Sequence, residues 1–477
     1  MLTYSDYEKA VAAGELLRFL PKAIQQHMQS EAYRIAADAD EYDRQRNVGV
    51  NNYVKFIAEH SDNKLVDFSA ANNRISSNFF HRLNTQRATY SLGNGISFTK
   101  HITERVGTDG KREQTDETKA RLGDKFDTDF YIMAYNALKH RECFGFWNLD
   151  RLYVFPLTEF VPLYDERTGA LRAGIRFWRL AADKPVNAVL YAEDGYTAYV
   201  SRDGTSGYDL IESEPKRGYV AIVRHTDATG DAVAGYENYS TLPIIRMKGS
   251  RLYQSTLIGM REQIDSYDLI QSGFANDLQD CAQIYWIVEN CGGMSEEDLR
   301  DFLNKLTRDH VATADTRGMG AETSSLKPYV QEVPFQSRTA YLQHIRGAIY
   351  EAFGALDVTN MSASARTATE IDAAYQPMDE NADDFEYCCI EAIQQLLAIL
   401  GIDDMPTFKR NRISNQYEQT QMVMLAANYL SDRAVLNHLP WIAVDERDEI
   451  LMDRESQSNE RFGNDEDEDT DEENDEV

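Results

Sequence analysis

Between Ser255 and Asp280 the chain reads STLIGMREQIDSYDLIQSGFANDLQD, with apolar residues at Leu257, Met260, Ile264, Tyr267, Phe274 and Leu278. The steps are three or four residues apart from one missed beat, the repeat of a helix that buries one face. Glu262, Asp265, Asp268, Asp277 and Asp280 keep to the other side. The pattern predicts a helix of roughly 35 residues, from near Leu252 to about Ile287, spanning ~50 Å at the helical rise.

The first ~60 residues read as helices rich in Tyr and Gln. A helix is expected from about Ala70 to Leu83, then a strand over ATYSL closed by a Gly93-Asn94-Gly95 turn. After a helical segment from Asp127 to Leu138, aromatic and β-branched stretches run to about Val223, broken by turns such as Asp165-Glu166-Arg167-Thr168-Gly169. No strand–helix–strand alternation occurs there, so the region reads as α+β with an antiparallel sheet. Further on come a short helix SEEDLRDFLNKL capped by Ser295, a strand-like SLKPYVQEVP, and a helix SRTAYLQHIRGAIYEAFG ending at Gly354. A loop of small residues leads to a third long helix, about Thr367 to Leu400, in which Pro377 removes a hydrogen bond and kinks the axis. Two or three more helices precede an acidic end.

Composition narrows the chemistry. The 477 residues are long enough for two or three domains, and no apolar run of about 18 residues exists to span a membrane. Five cysteines (Cys143, Cys281, Cys291, Cys388 and Cys389), with no CxxC pair, read as reduced thiols packed as small hydrophobes in a cytoplasmic protein. The net charge is -30; ten acids lie between Asp465 and Glu476, which leaves -20 on the rest. A body this acidic argues against nucleic-acid affinity won by neutralising phosphates.

No HxH, HxxxH or HExxH pairing, GxSxG elbow or GxGxxG fingerprint appears, and GTDGKRE has Arg105 and Arg112 where a phosphate loop needs Gly and Ser or Thr. The pairs Asp383-Asp384 and Asp403-Asp404 read as solvated surface. The sequence therefore offers no catalytic, metal or cofactor constellation.

The order of segments carries more information than any one motif. ANNRISSNFF, YSLGNGISF, VFPLTEFVPLYDERTGALRAGIRFW, IDSYDLIQSGFANDLQDCAQIYWIVEN, YLQHIRGAIYEAFGALDV, SARTATEI and YLSDRAVLNHLPWIAVDERDEILMDRE follow one another in that sequence. This succession, over roughly residues 20–456, resembles the portal proteins, or head-to-tail connectors, of long-tailed bacteriophages. AANNRI, SLGNGISF and IDSYDLIQSGFANDL are its most specific pieces. Ala365-Arg366 stands where many members of that family have a Ser-Gly-like pair, and brings a positive charge.

The resemblance implies an α+β portal fold assembled as a ring, with twelve subunits in the virion. Its parts would be a wing (1–250), a first stem helix (251–290), a small α/β clip (291–336) and a second stem helix (337–354). A tunnel loop (355–368), a long kinked helix (369–402), crown helices (403–456) and a disordered acidic tail (457–477) would follow. Implied partners are copies of itself, double-stranded DNA passing through the channel, the terminase large subunit, a head-tail adaptor, and the major capsid and scaffolding proteins, with no membrane. The implied places are a capsid vertex of the virion and the host cytoplasm during assembly.

In such a ring, Leu257, Ile264, Tyr267, Phe274 and Leu278 would pack against Tyr341, Ile345, Ile349 and Phe353 and against neighbouring subunits. Glu262, Asp265, Asp268 and Asp277 would face water, inside the channel or outside it. Inside, their field would act as a cushion reaching about 8 Å at ~0.15 M salt. Asn360, Ser362, Ser364, Arg366 and Thr367 of the tunnel loop are the candidate DNA contacts, with pairing of Arg366 to Glu370 as the alternative. The tail is either a solubilising end or a polyanionic collar near DNA. A metal-dependent nucleic-acid-processing enzyme, or a head or tail structural protein without a channel, are the competing readings.

Overall fold

The computed structural model describes residues 2–53, 56–60, 63–66, 71–106, 112–202, 209–225, 232–280, 285–289, 325–329, 335–358, 368–412 and 416–439, and besides these 297, 300, 442, 450 and 451. The chain is α+β and divides into two compact units. The larger comprises Met1–Asp40, Arg82–Ile258 and Gly354–Val477; the smaller comprises Glu41–His81 and Gly259–Phe353.

In the larger unit, five antiparallel strands lie in the order Leu210–Arg217, Gly195–Ser201, Val186–Ala192, Leu171–Arg179, Phe160–Tyr164. Burial along Gly195–Ser201 alternates residue by residue, as a sheet with one covered face requires. Helix Leu16–Gln29 contributes Phe19, Leu20 and Ile24 to the same cluster as Ile175, Phe177 and Leu190. The predicted turn at Asp165 is present: its carboxylate accepts from the amides of Arg167 at 2.9 Å and Thr168 at 2.8 Å, and Gly169 takes a positive φ of 67°.

A second core forms around three antiparallel strands, Ile244–Lys248, Glu142–Asn148 and Arg151–Pro156. Helix Phe126–His140 packs Phe130 and Met133 into it, and helix Ala368–Leu400 packs Phe385, Ile393 and Leu396. Segments more than two hundred residues apart thus share one core, in which Cys143 and Cys389 are buried free thiols; Cys388 is buried too. Cys281 and Cys291 lie outside the described residues.

Two sequence expectations for local structure are corrected. Residues 71–78 form no helix, and ATYSL belongs to helix Phe79–Leu92. Phe80, Asn84, Ala88 and Leu92 are all buried and spaced by four, so helical burial overrides the strand preference of Thr and Tyr. The long helix is shorter than its periodicity suggests, Arg261–Asp280. Tyr253 and Gly259, with φ of 55° and 84°, break the chain before it. Beyond it, Tyr285–Glu289 pairs antiparallel with Ser325–Tyr329, in register from Tyr285 opposite Tyr329 to Glu289 opposite Ser325. Helix Phe335–Phe353 ends as expected at Gly354, whose φ is 62°. Helix Ala368–Leu400 runs through Pro377. The helix expected after Ser295 and the acidic tail fall largely or wholly outside the described residues.

Buried carboxylates pin the larger unit. Glu142 has no exposed surface; Arg246 Nε at 2.8 Å, Tyr164 OH at 2.7 Å and Tyr253 OH at 2.5 Å donate to one oxygen, and Arg141 Nη2 at 3.2 Å to the other. Asp404, expected on a solvated surface, is buried as well. It accepts from the amides of Lys100 at 2.9 Å and Met405 at 2.7 Å and from Thr118 Oγ at 2.6 Å. Burial would raise its pKa, but these bonds outweigh that and hold it well below the usual carboxylate range. Asp383 and Asp384 are engaged as well, with Arg410 and Arg251.

His27 supplies a pH dependence. It is buried, its Nε2 lies 2.8 Å from Leu157 O, and Nδ1 meets no partner among the described residues. Burial lowers its pKa, so the unfolded chain takes up a proton that the folded one resists. The stability this confers is complete above about pH 6.5 and declines as pH falls below it. Urea midpoints measured from pH 8 to pH 5 are expected to drop more steeply for the wild type than for His27→Gln; parallel profiles would rule this out.

Candidate functional site

Helix Arg261–Asp280 of the smaller unit carries a polar stripe, and that stripe holds a strap, residues 71–78. Asp268 Oδ1 accepts from the Ser77 amide at 2.9 Å, Ser272 Oγ from the Ile75 amide at 3.0 Å, and Asn276 Oδ1 from the Asn73 amide at 2.6 Å. Gln279 Oε1 accepts from Asn73 Nδ2 at 2.9 Å. Four helical residues advance about 6.0 Å and two extended residues about 6.6 Å, so alternate amides meet successive turns without distorting either element.

The strap is gripped from a second direction. Asn47 Nδ2 donates to Ser77 O at 3.1 Å and also to Asp268 Oδ2; Gln45 Nε2 donates to Ser76 O at 3.0 Å. Tyr42 OH donates to Asp265 Oδ1. A Cβ on Gly49 would stand 2.3 Å from the Asp265 carboxylate, so a side chain there would push that carboxylate away from Tyr42.

The apolar face of the helix packs partly as its periodicity predicts. Ile264 is fully buried; Tyr267 meets Phe79 edge-on at 4.9 Å, and Phe79 meets Tyr350 at 6.2 Å. Phe274 packs on Phe335 at 5.4 Å, and Ile345 and Ile349 are buried on helix Phe335–Phe353. Two residues lie apart from this seam within one chain. Leu257 is buried, but in the turn before the helix begins, and Leu278 is 53% exposed at its far end.

The expected wall of acids is likewise corrected. Asp268 is wholly buried because it is the strap's first anchor; burial raises its pKa, and the bonds from Asn47 and Ser77 oppose that. Asp265 is half-buried between Tyr42 and Arg261, and Asp277 pairs with Arg338. Glu262 alone of the four is exposed. The loop residues Asn360, Ser362, Ser364, Arg366 and Thr367 lie outside the described residues. The sequence reading misses the strap, because its backbone amides carry no residue signature; Asp268, Ser272 and Asn276 at every fourth position of the helix are the signal that points to it.

A family model described as phage portal protein, SPP1 Gp6-like, matches residues 22–460. The chain belongs to this family of phage portal proteins. It is 24% identical over 412 residues to the portal protein of Clostridium phage phiCD119, covering 80% of this chain and 85% of that one. It is 23% identical over 309 residues to the portal protein of Bacillus phage SPP1, covering 62% of this chain and 55% of that one. Among solved structures, a chain from the neck of a native GTA particle computed with C12 symmetry overlaps 78% of this chain and 89% of its own length, at 10% identity and a TM-score of 0.36. Two of the three segments that most resemble portal proteins, AANNRI and IDSYDLIQSGFANDL, are the strap and the helix that binds it.

Hydrogen exchange tests the ladder amide by amide. Asn73, Ile75 and Ser77 are expected to be protected. Ser272→Ala should speed exchange at Ile75 first, and Asp268→Ala should release Ser77 and Asn47 and cost about 1–3 kcal/mol per orphaned donor. Glu262→Ala should stay within about 0.5 kcal/mol. Equal effects at positions 262 and 268 would refute the anchoring role.

Proposed function

We propose that this portal protein works as a ring of identical subunits at one capsid vertex, a non-enzymatic conduit through which double-stranded DNA is packaged and later ejected. The family match across residues 22–460 carries this reading. The wing, stem, clip, tunnel loop, kinked helix and crown take the residue ranges set out above. The clip side serves as the docking platform for the terminase large subunit and then for head-tail adaptors. The wing meets the major capsid and scaffolding proteins, and assembly takes place in the host cytoplasm.

The paired helices Arg261–Asp280 and Phe335–Phe353 suit a stem, because their shared seam leaves the remaining faces for neighbouring subunits and the channel. Ionised wall groups are then fewer than the sequence suggests, with Glu262 exposed and Asp277 neutralised by Arg338. Translocation needs low affinity at every register, and a nearly neutral wall meets that need as well as a repelling one. Within the loop 355–368, Arg366 gives a charge-assisted contact to the DNA backbone, and Asn360, Ser362, Ser364 and Thr367 give weaker ones that exchange readily.

Three buried carboxylates, Asp268, Asp404 and Glu142, are bonded by backbone amides, hydroxyls and arginines, a structural use that supports the non-enzymatic reading. Negative-stain images of the purified protein are expected to show rings with a central hole, with or without residues 463–477. A species that stays monomeric at high concentration, or Mg²⁺-dependent nuclease activity, would refute the conduit. Arg366→Ala is expected to assemble normally and to alter packaging or retention of DNA; normal packaging with stable heads would remove its contact role.

A further inference from the structure

The acids of this chain are unevenly placed. Asp and Glu number 79 of 477 residues, about one in six, yet none occurs from Arg44 to Ala58 or from Phe68 to Thr103. The first stretch carries Arg44, Arg46 and Lys55, and the second includes the strap with Arg74. In the smaller unit residues 44–53 of the first and 71–78 of the second are folded against each other. Gln45 bonds to Ser76 O, Arg74 Nη1 donates to Asn51 O at 2.7 Å, and Asn51 Nδ2 reaches Ser76 Oγ at 3.4 Å.

Where they meet, Arg44, Arg46, Asn52, Tyr53, Asn72 and Arg74 are exposed together. Among the described residues, the carboxylates around them are already engaged. Asp43 lies 2.8 Å from His81, Asp265 accepts from Tyr42, and Asp268 is buried beneath the strap. Glu41 is 3.7 Å from Arg44, an exposed pair of little strength. A local cationic face therefore stands on a chain whose net charge is -30.

We propose that this face binds the phosphate backbone of duplex DNA. Arg, Asn and Tyr are side chains from which phosphate and sugar contacts are made, and Asn51 occupies one of the five donors of Arg74. The exposed elements are a strap and a turn, with no helix presented to a groove, so the contact is independent of base sequence. Set on an acidic body, it is weak and sensitive to salt, a grip that lets a duplex lie against the protein and leave again. The inference rests on the portal reading, which puts the chain beside packaged DNA, and adds a contact outside the tunnel loop.

The test uses the full chain and a short fluorescent duplex, with binding followed by anisotropy from about 0.05 to 0.2 M salt. The R44Q/R46Q/R74Q variant is expected to lose about tenfold in affinity at the low end, and its salt slope to flatten by roughly 2–3, near 0.9 per phosphate contact. The matching triple-lysine variant should restore the slope, and Arg46→Gln alone should flatten it by about 1, so a folding defect in the triple variant does not decide the result. Equal slopes in wild type and variant, or no salt-dependent binding by the wild type, would overturn the proposal. So would displacement of the duplex by a poly-glutamate peptide at lower concentration than by unlabelled duplex, which would mark an acidic protein as the partner. Images from the same preparations keep the two readings apart. Rings with unaltered DNA binding sink only the cationic face, whereas absence of rings sinks the conduit and leaves a loss of binding in the variant to be scored by itself.

Discussion

A backbone amide taken out of water must find an acceptor, and in the smaller unit that demand shapes everything near the strap. Among the described residues no strand pairs with 71–78; side chains on one helix take the amides at 73, 75 and 77. The match depends on two incommensurate elements advancing almost equally, one helical turn against two extended residues. It fixes which face of the helix is polar and why Asp268 is buried beneath the strap. Only the opposite face remains for Tyr267, Phe274 and the second helix.

The same use of acids recurs in the larger unit. Asp404 gathers the amides of Lys100 and Met405, and Glu142 joins two arginines to two tyrosines. Charge counted along the sequence therefore overstates the charge that water and DNA meet. Part of the acidity is internal scaffolding, where an ionised oxygen is a stronger acceptor than a neutral one. This reconciles an acidic chain with membership of a family of DNA conduits.

Regular periodicity was legible in the sequence; its interruptions were not. The seam residues Ile264, Tyr267, Ile345 and Ile349, the antiparallel sheet and the run of Ala368–Leu400 through Pro377 all follow from local pattern. The start of helix Arg261–Asp280 was hidden because positive φ at Tyr253 and Gly259 leaves no mark on apolar spacing, which carried Leu257 into the wrong element. ATYSL misled because propensity is local, whereas the burial of Ala88 and Leu92 is set by tertiary partners. Asp268 and Asp404 could not be told from surface acids, since the donors that bury them, Ser77 for one and Lys100 and Thr118 for the other, lie about 190 and 300 residues away in sequence.

The short ribbon Tyr285–Glu289 with Ser325–Tyr329 has an evolutionary corollary. By clasping both ends of the intervening thirty-odd residues, 290–324, it uncouples their length and content from the elements on either side. A lineage can lengthen, trim or replace that stretch, and the clasp keeps the change from propagating inward, much as a standard fitting accepts different tools.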